Sequence, residues 1–279
     1  MEKLVNGTYE GERALFKGKD LDIENCLFQN GESPLKESRN IKLNNSTFSY
    51  KYPLWYSKNI EVKNTTFEVM SRSGIWYTED ITLTNCNIIA PKEFRRSKNI
   101  TIVDSQFLDA QETLWNCENI TMKNVKAKGD YLLMNSKNVN IDNLVLDGNY
   151  VLDGAKDIVV KNSILNAKDS FWNCENVLVE NTKIVGEYIG WNSKNITFVN
   201  CEIESHQGFC YMKNLKLINC TLKNTDLAFE YSTVDAKINS KVDSIKNPIK
   251  GKIQCLGYDE LILDDENIEF KKEDVIVGE

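Results

Sequence analysis

The sequence contains no long apolar stretch and no block of one charge. No window approaches the ~18 consecutive apolar residues that a membrane-spanning helix requires, so no membrane partner is expected. Residues 1–7 also lack the apolar core of a secretory signal, which favours a cytoplasmic location. The formal net charge is −7, and nucleic-acid-binding domains usually carry a basic surface, so no nucleic-acid partner is expected.

Zinc-type cysteine spacings are also absent, although the chain has eight cysteines. Six of them fall in two phases of the repeat described below, where other copies carry serine or threonine. Cys201 alternates with Ser163 and Thr182 in one phase, and Cys117 alternates with Ser97 in the other. A position that accepts any of these residues selects for small size, which suits a buried free thiol. No metal and no cofactor are therefore predicted.

An internal repeat of 19 to 21 residues runs through most of the chain. Each copy has a charged residue, an Asn or Asp, two aliphatic residues at alternate positions, a second Asn, a small residue, and an aliphatic residue or Phe. Lys58–Phe67 and Lys194–Ile203 are two examples. The opening Asn or Asp lies at positions 20, 40, 59, 80, 99, 119, 138, 157, 176, 195 and 214. A fixed period of this length is typical of a solenoid built from stacked turns.

Each copy contains three short segments with the two-residue period of a half-buried strand. In the first segment Ile60 and Val62 point one way and Glu61 the other, and Phe67 resumes the inward set in the second. The third segment carries an apolar column, interrupted by Gly190, that consists of Leu15, Leu35, Leu54, Ile75, Phe94, Leu114, Leu133, Leu152, Phe171 and Phe209. Three strands and three corners leave no room for a helix. We therefore predict an all-β, single-stranded, right-handed parallel β-helix, a three-sheet solenoid of about 12 coils.

A leucine-rich repeat is the main alternative, because its period of roughly 20–29 residues is similar and it also contains Asn. Its Asn follows a different spacing, and its convex side needs a helical or 3₁₀ pattern, so the β-helix is favoured. One domain is predicted over residues 1–279. Residues 1–12 are expected to cap one end, because uncovered strand edges invite aggregation. Residues 13–238 should form the regular coils, and residues 239–279 the irregular last coils and a polar cap.

The second Asn of each copy forms a further column. Its members are Asn25, Asn45, Asn64, Asn85, Asn124, Asn143, Asn162, Asn181, Asn200 and Asn219, with Asp104 as the one substitute. Stacked at the ~4.8 Å strand spacing, such side chains can hydrogen-bond along the stack and satisfy amides at a corner. A ladder of inward Asn with short aliphatic strands resembles the pectin-lyase-like β-helix superfamily. With its units of the form N-I-x-I-x-N-S/C-x-F, the chain looks most like an uncharacterised bacterial family within that superfamily.

The resemblance covers about residues 8–270 and implies a fold more than an activity. The superfamily includes polysaccharide lyases, glycoside hydrolases, esterases, epimerases and tailspike-like binders, so chemistry must be argued from a site. Among polygalacturonase-type motifs, a Gly-His-Gly and an Asp-Asp pair in the middle coils are missing, and His206 is the only histidine. These absences count against enzyme activity of the known kinds.

All five Trp residues lie in one column, directly after the apolar column of the third segment. In an extended segment this position points outward. The same column contains Lys36, Arg95 and Asp153, and unpaired charges are rarely tolerated in a core. Asp169 and several Tyr residues lie just upstream. The predicted binding residues are Trp55, Trp76, Trp115, Asp153, Asp169, Trp172 and Trp191.

An exposed row of indole rings among amides and carboxylates predicts a binding surface. Aromatic faces can cover the apolar faces of sugars while polar side chains bind the hydroxyl groups, so an oligo- or polysaccharide is the expected partner. The alternative is a non-catalytic structural or assembly module whose aromatic strip is a protein–protein interface, with a homo-oligomer as one form of it.

Catalysis would extend the carbohydrate hypothesis. Arg95, Arg96 and Glu112 fall in neighbouring coils and are the candidate catalytic residues. A carboxylate beside a cation can act in acid–base chemistry, and an arginine can stabilise an anionic transition state, which would suit a glycoside hydrolase or polysaccharide lyase. Surface salt bridging explains the same residues without any activity. The sequence leaves both alternatives open.

Overall fold

The chain is an all-β parallel β-solenoid in a computed structural model that describes residues 1–278. It divides into two compact units, Met1–Asn140 and Ile141–Glu279, which are described in turn. Within the described residues no α-helix occurs, and the only helical segments are two short 3₁₀ turns, η1 (Val69–Ser71) and η2 (Lys272–Asp274). The predicted fold class is confirmed.

In the first unit, strands recur in two sets, and each strand pairs in parallel with the strand one turn later. The first set comprises β1 (Glu2–Val5), β3 (Lys19–Glu24), β5 (Arg39–Asn44), β7 (Lys58–Lys63), β9 (Glu79–Thr84) and β11 (Lys98–Val103). The second set comprises β2 (Thr8–Glu10), β4 (Leu27–Gln29), β6 (Thr47–Phe48), β8 (Thr66–Phe67), β10 (Asn87–Ile88) and β12 (Gln106–Phe107). The longer β13 (Glu118–Lys128) pairs with both β11 and β12.

The second unit repeats this arrangement. Its first set comprises β15 (Lys156–Lys161), β17 (Glu175–Glu180), β19 (Lys194–Val199), β21 (Lys213–Lys223), β22 (Thr233–Ile238), β24 (Lys250–Cys255) and β26 (Val275–Val277). Its second set comprises β14 (Lys137–Asp147), of which the residues from 141 onward lie in this unit, β16 (Ile164–Asn166), β18 (Lys183–Glu187) and β20 (Glu202–His206). A separate parallel pair is formed by β23 (Lys241–Lys246) and β25 (Gly257–Ile262).

Equivalent residues of successive turns stand directly above one another. Ile60 pairs with Ile81, and Ile81 with Ile100, and all three are buried. Phe28 and Phe48 stack in the same way, with ring centroids 4.6 Å apart. Each such side chain contributes about 1.5–3 kcal/mol on burial, so the repeated columns are the main source of stability.

The eight cysteines are all buried and free, as the sequence predicts. Burial raises the pKa of the Cys86 thiol to about 11 and that of Cys117 to about 12. Since the thiolate is the reactive form, these residues serve packing.

The third segment differs from the prediction of an extended strand. It consists of turns with recurring positive φ, at every fourth residue in the early copies, as at Tyr52 and Tyr56, and at every second residue from Lys92 onward. In the first unit the isolated bridges at Trp76, Arg95 and Trp115 link successive turns there. Phe94 and Leu114, with φ of 56° and 60°, are fully buried in this conformation. A left-handed conformation costs about 1–2 kcal/mol per non-glycine residue, and burial of a large apolar side chain offsets it.

The Asn column also differs from the prediction of an inward ladder, because its side chains are exposed at the corner. Asn64 donates from Nδ2 to Asn44 Oδ1 at 2.9 Å, and Asn85 donates to Asn64 at 2.7 Å. The buried corner amides are instead satisfied by the small residue that follows. The backbone N–H of Cys86, for example, donates to Ser105 Oγ at 3.0 Å. A hydroxyl on a short side chain reaches an interior amide that an outward carboxamide cannot.

The solenoid has about 15 turns, slightly more than the expected 12. The difference arises at the ends, where turns lack the opening Asn or Asp that identified a copy. β1 and β2 form a turn within residues 1–12, and β24 and β26 add turns near the other end. The single domain with terminal caps stays a prediction, and Glu279, the last residue of the expected cap, lies outside the described residues.

Candidate functional site

The five Trp residues are half-buried on the third side of the solenoid. The indole N–H of four of them donates to a backbone carbonyl of the following turn. The donors and acceptors are Trp55 to Ser73, Trp76 to Lys92 (2.8 Å), Trp115 to Tyr131 (2.6 Å) and Trp172 to Tyr188 (2.7 Å). These bonds fix the rings in one orientation and satisfy the indole N–H groups within the protein.

In the first unit the column forms a closed stack, here named the Trp76 stack, of Trp55, Trp76, Arg95 and Trp115. The rings of Trp55 and Trp76 are nearly parallel, with centroids 5.4 Å apart and 8° between the planes. The Arg95 guanidinium lies between two indoles, with its Cζ 4.6 Å from the Trp76 centroid and 4.7 Å from that of Trp115. The ring faces that a sugar would need are therefore covered by the protein itself.

Two of the three candidate catalytic residues meet beside this stack. Arg95 Nη2 lies 3.4 Å from Glu112 Oε2, and Lys92 Nζ lies 3.2 Å from the same oxygen. Arg96 is exposed, and it forms no ion pair with Glu112 within residues 1–278. The Nε atom of Arg95 is buried without a hydrogen-bond partner in the described part of the chain. This geometry holds Arg95 in place as a packing and charge-pairing residue.

The second unit arranges its part of the column differently, in what is here named the Trp172 face: Asp153, Asp169, Trp172, Tyr188 and Trp191. The planes of Trp172 and Trp191 are tilted by 30° with centroids 6.1 Å apart, and no guanidinium lies between them. Tyr188 meets Trp191 edge-on at 5.9 Å. On the turn before Trp172 the column carries Asp153, which is much smaller than an indole. Tyr150 meets Trp172 edge-on at 5.9 Å, and the Tyr211 ring is tilted by 49° against Trp191 at 4.8 Å. The rings of this face are therefore tilted or edge-on to one another, where Trp55 and Trp76 of the first unit are nearly parallel.

Two carboxyl groups belong to this face. Asp153 Oδ1 accepts a hydrogen bond from Asn173 Nδ2 at 2.8 Å. Asp169 is only 8% exposed, and its burial raises the pKa of its carboxyl group, with the charges of Glu187 and Asp153 acting in the same direction. A hydrogen bond from the Tyr150 side chain partly opposes this rise. Asp169 thus holds its proton more readily than an ordinary aspartic acid does, and Asp153 of the neighbouring turn is the second carboxyl group of this face.

A polar pair that sequence reasoning missed lies at the edge of the same face. His206 Nδ1 is 2.8 Å from Asp226 Oδ1, and the His206 ring meets the Tyr188 ring edge-on at 5.7 Å. One signal in the sequence could have found them: spacings of 19 and 20 residues place Glu187, His206 and Asp226 in one column.

A separate groove of about 540 Å³ lies over the first strand set of the second unit, at β19, β21, β22 and β24. Its lining includes Thr197, Lys216, Asp235 and Lys250 and contains none of the predicted site residues.

No three His, Cys, Asp or Glu side chains in residues 1–278 are grouped so that they could hold a metal ion. Within the same residues, nothing helical has the length and apolar character needed to traverse a bilayer.

The fold and the surface define a class: a parallel β-solenoid with an outward aromatic column on its turn-rich side. The chain belongs to the family described as "Protein of unknown function (DUF3737)", whose model matches residues 2–276. This match confirms the predicted resemblance to an uncharacterised family. No curated protein matches the sequence.

Several solved structures are similar in backbone. The surface adhesin PfbA of Streptococcus pneumoniae shares 12% identity, with a TM-score of 0.48 over 92% of this chain and 82% of that one. The alginate lyase AlyF-OU02 in complex with G6 shares 11% identity, with a TM-score of 0.47 over 99% and 82%. A tailspike protein of E. coli bacteriophage HK620 in complex with pentasaccharide shares 10% identity, with a TM-score of 0.45 over 93% and 70%. At these sequence identities and TM-scores the similarity is one of backbone fold and does not extend to function.

Proposed function

We propose that the Trp172 face binds an oligo- or polysaccharide. One observation carries the proposal: the indoles of Trp172 and Trp191 are held at the surface but tilted apart by 30°, with carboxyl and phenol groups around them. Sugar rings offer apolar C–H faces and many hydroxyl groups, and a surface of partly uncovered aromatic rings with a few fixed polar groups complements both.

The contrast with the Trp76 stack supports placing the site in the second unit. There, parallel rings and the Arg95 guanidinium cover one another, so those indoles stabilise the third side. The ring–ring and cation–π contacts of such a stack stabilise the folded chain, and they leave little aromatic face for a ligand. Of the seven predicted binding residues, four therefore belong to the proposed site: Asp153, Asp169, Trp172 and Trp191.

A glycan panel followed by calorimetric titration of the best ligand tests the proposal. Trp172→Ala and Trp191→Ala are each expected to weaken binding by at least about tenfold, or about 1.4 kcal/mol, the loss typical of a central aromatic contact. Tyr56→Ala is the control, because Tyr56 is an exposed aromatic residue of the first unit. Trp172→Phe keeps a ring in place and guards against a general folding defect.

Two outcomes would contradict the proposal. In one, no glycan binds the wild-type chain. In the other, a glycan binds but both Trp variants retain its affinity while urea denaturation shows that they are folded. A concentration-dependent oligomer that is lost in the same variants would favour the assembly alternative.

Hydrolysis of the bound glycan is a second candidate function, favoured by the raised pKa of the Asp169 carboxyl group and by the second carboxyl group, Asp153, on the neighbouring turn. In this scheme Asp169 gives its proton to the leaving glycosidic oxygen, Asp153 takes a proton from water, and the water oxygen bonds to the anomeric carbon as the glycosidic bond breaks. Asp169→Asn should lower the release of reducing ends by about 10²–10⁴-fold and leave the fold intact. Full retention of turnover in that variant would exclude the scheme.

A further inference from the structure

A groove of about 350 Å³ adjoins the Trp172 face on the same turns of the second unit. One wall is a row of outward residues that begins with Asp147 on β14 and ends with Glu204 on β20, in the register set by strand pairing. The other wall carries Lys168 and Glu187, which directly precede Asp169 and Tyr188 of the Trp172 face. The groove and the aromatic face are thus neighbouring parts of one surface.

The floor of this groove is backbone. A Cβ atom on Gly186 would lie 2.2 Å from the carbonyl oxygen of Ala167, so no side chain fits at that position. The glycine lets the backbones of the two turns lie close together, and the space between the walls above them can hold a small group of a ligand. Such a group would approach main-chain atoms and would be flanked by the charged side chains of the walls.

The charge of the groove is unbalanced. Its lining includes three carboxylates, those of Asp147, Glu187 and Glu204, and Lys168 is the only cation among its lining residues. Lys168 Nζ already pairs with Glu187 Oε1 at 2.8 Å. Glu204 accepts a hydrogen bond from the neutral side chain of Asn224 at 3.1 Å, and no lysine or arginine of the lining pairs with Asp147. Asp153 adds a further carboxylate on the aromatic side.

We infer that the glycan bound at the Trp172 face carries protonated amino groups, and that the backbone-floored groove between Asp147 and Glu187 lodges one of them. This inference rests on the proposed function. Carboxylates are strong acceptors for an ammonium group, whereas the carboxylates of a polyuronate would meet like charges on both walls. Around Asp169 the charges of Glu187 and Asp153 raise its pKa and that of Lys168 lowers it, so carboxylates outnumber cations there as well.

Three hexasaccharides of equal length test the inference by calorimetry on the full chain, at mildly acidic pH and low salt. They are a glucosamine hexamer, its N-acetylated counterpart and hexagalacturonate. The glucosamine hexamer is expected to bind at least about tenfold more tightly than the acetylated one, because acetylation removes the positive charge; the salt dependence separates this effect from that of the added acetyl group. The difference should shrink in added salt, since the Debye length falls to about 8 Å at physiological ionic strength.

Variants that remove charge test whether the preference for the glucosamine hexamer arises in the groove. Asp147→Asn combined with Glu204→Gln should reduce the preference for the glucosamine hexamer to less than about threefold. Glu2→Gln combined with Glu24→Gln makes the same change in net charge on exposed residues of the first unit and should leave the preference in place. If neither these hexamers nor any glycan of the panel binds, both the proposed function and this inference fail; if only other glycans of the panel bind, this inference alone fails. If hexamers bind but hexagalacturonate is the tightest, or the groove variant keeps the full preference, only this inference fails.

Discussion

At the scale of single residues, Arg95 has the most unusual surroundings in the first unit. Its guanidinium lies between two indoles, and one of its terminal nitrogens is 3.4 Å from Glu112 Oε2. A cation–π contact contributes from about 0.5–1 kcal/mol at exposed sites to about 2 kcal/mol when it is desolvated. With two such contacts, Arg95 joins Trp76 to Trp115 across the turn that separates them.

The stabilising role of Arg95 can be measured by urea denaturation. Arg95→Ala is expected to lower the free energy of unfolding by about 1–3 kcal/mol, because it removes both cation–π contacts and leaves a gap between the rings. Arg96→Ala is the matched control, since its exposed side chain should change stability by no more than about 0.5 kcal/mol. Equal effects of the two substitutions would contradict the role assigned to Arg95.

Glu93 is a second unusual residue, because its carboxyl group is wholly buried. Oε2 accepts a hydrogen bond from the Gly74 N–H at 2.9 Å, while Oε1 has no partner within residues 1–278. A Cβ on Gly74 would lie 2.7 Å from Oε2, so the glycine makes room for the carboxyl group. Burial raises the pKa of Glu93 well above its ordinary value of 4.5.

This raised pKa predicts a specific pH dependence of stability. A carboxyl group whose pKa is higher in the folded state binds more protons there, so its contribution is fully present below 4.5 and is lost as pH rises towards the folded pKa. Glu93→Gln should remove this loss. Urea denaturation at several pH values between about 5 and 8 should therefore give a flatter stability profile for the variant than for the wild type. Parallel profiles would contradict an ionising, buried Glu93.

At the scale of structural elements, the corners between strand sets determine where the chain can turn. The corner Asn residues have positive φ, as at Asn64 with 48°, and their side chains hydrogen-bond to the turns above and below. Asn tolerates the left-handed conformation better than most residues because its short polar side chain bonds locally. The Asn column therefore has a conformational role as well as a hydrogen-bonding one.

Substitutions at one corner separate these two roles. Asn64→Ala is expected to lower the free energy of unfolding by about 1–2 kcal/mol, through the strained φ and the loss of the bonds to Asn44 and Asn85. Asn64→Gly removes the same bonds but accepts the positive φ, so its loss should be smaller, at most about 1 kcal/mol. Chemical denaturation of both variants provides the comparison. A glycine variant less stable than the alanine variant would contradict the conformational role.

At the scale of the whole molecule, the fold could be predicted from the sequence because the repeat is carried by the buried residues of each turn. Residues such as Ile60, Val62 and Phe67 recur at a nearly constant spacing, and a solenoid is the arrangement that buries every copy in the same way. The third segment could not be predicted in detail. Leu and Phe do not reveal the sign of φ, since both ordinarily avoid the left-handed region.

The candidate site was predictable in outline and not in geometry. The sequence predicted an outward Trp column from its place after the apolar column, and in the structure these rings are half-buried. Trp55 and Trp76 are nearly parallel whereas Trp172 and Trp191 are tilted, although each pair belongs to consecutive turns, so the repeat alone does not determine how the rings stack. The groove beside Tyr188 could not be predicted either, because it depends on how the walls flank Gly186 and not on a motif.

The most direct test of the central claim uses the five indole N–H signals in a ¹H–¹⁵N correlation spectrum of the 32.0 kDa chain. During titration with a glycan from the panel, the signals of Trp172 and Trp191 should shift with saturation, while those of Trp55, Trp76 and Trp115 stay in place. Shifts confined to the first-unit indoles, or no shift with any glycan, would contradict a sugar site at the Trp172 face.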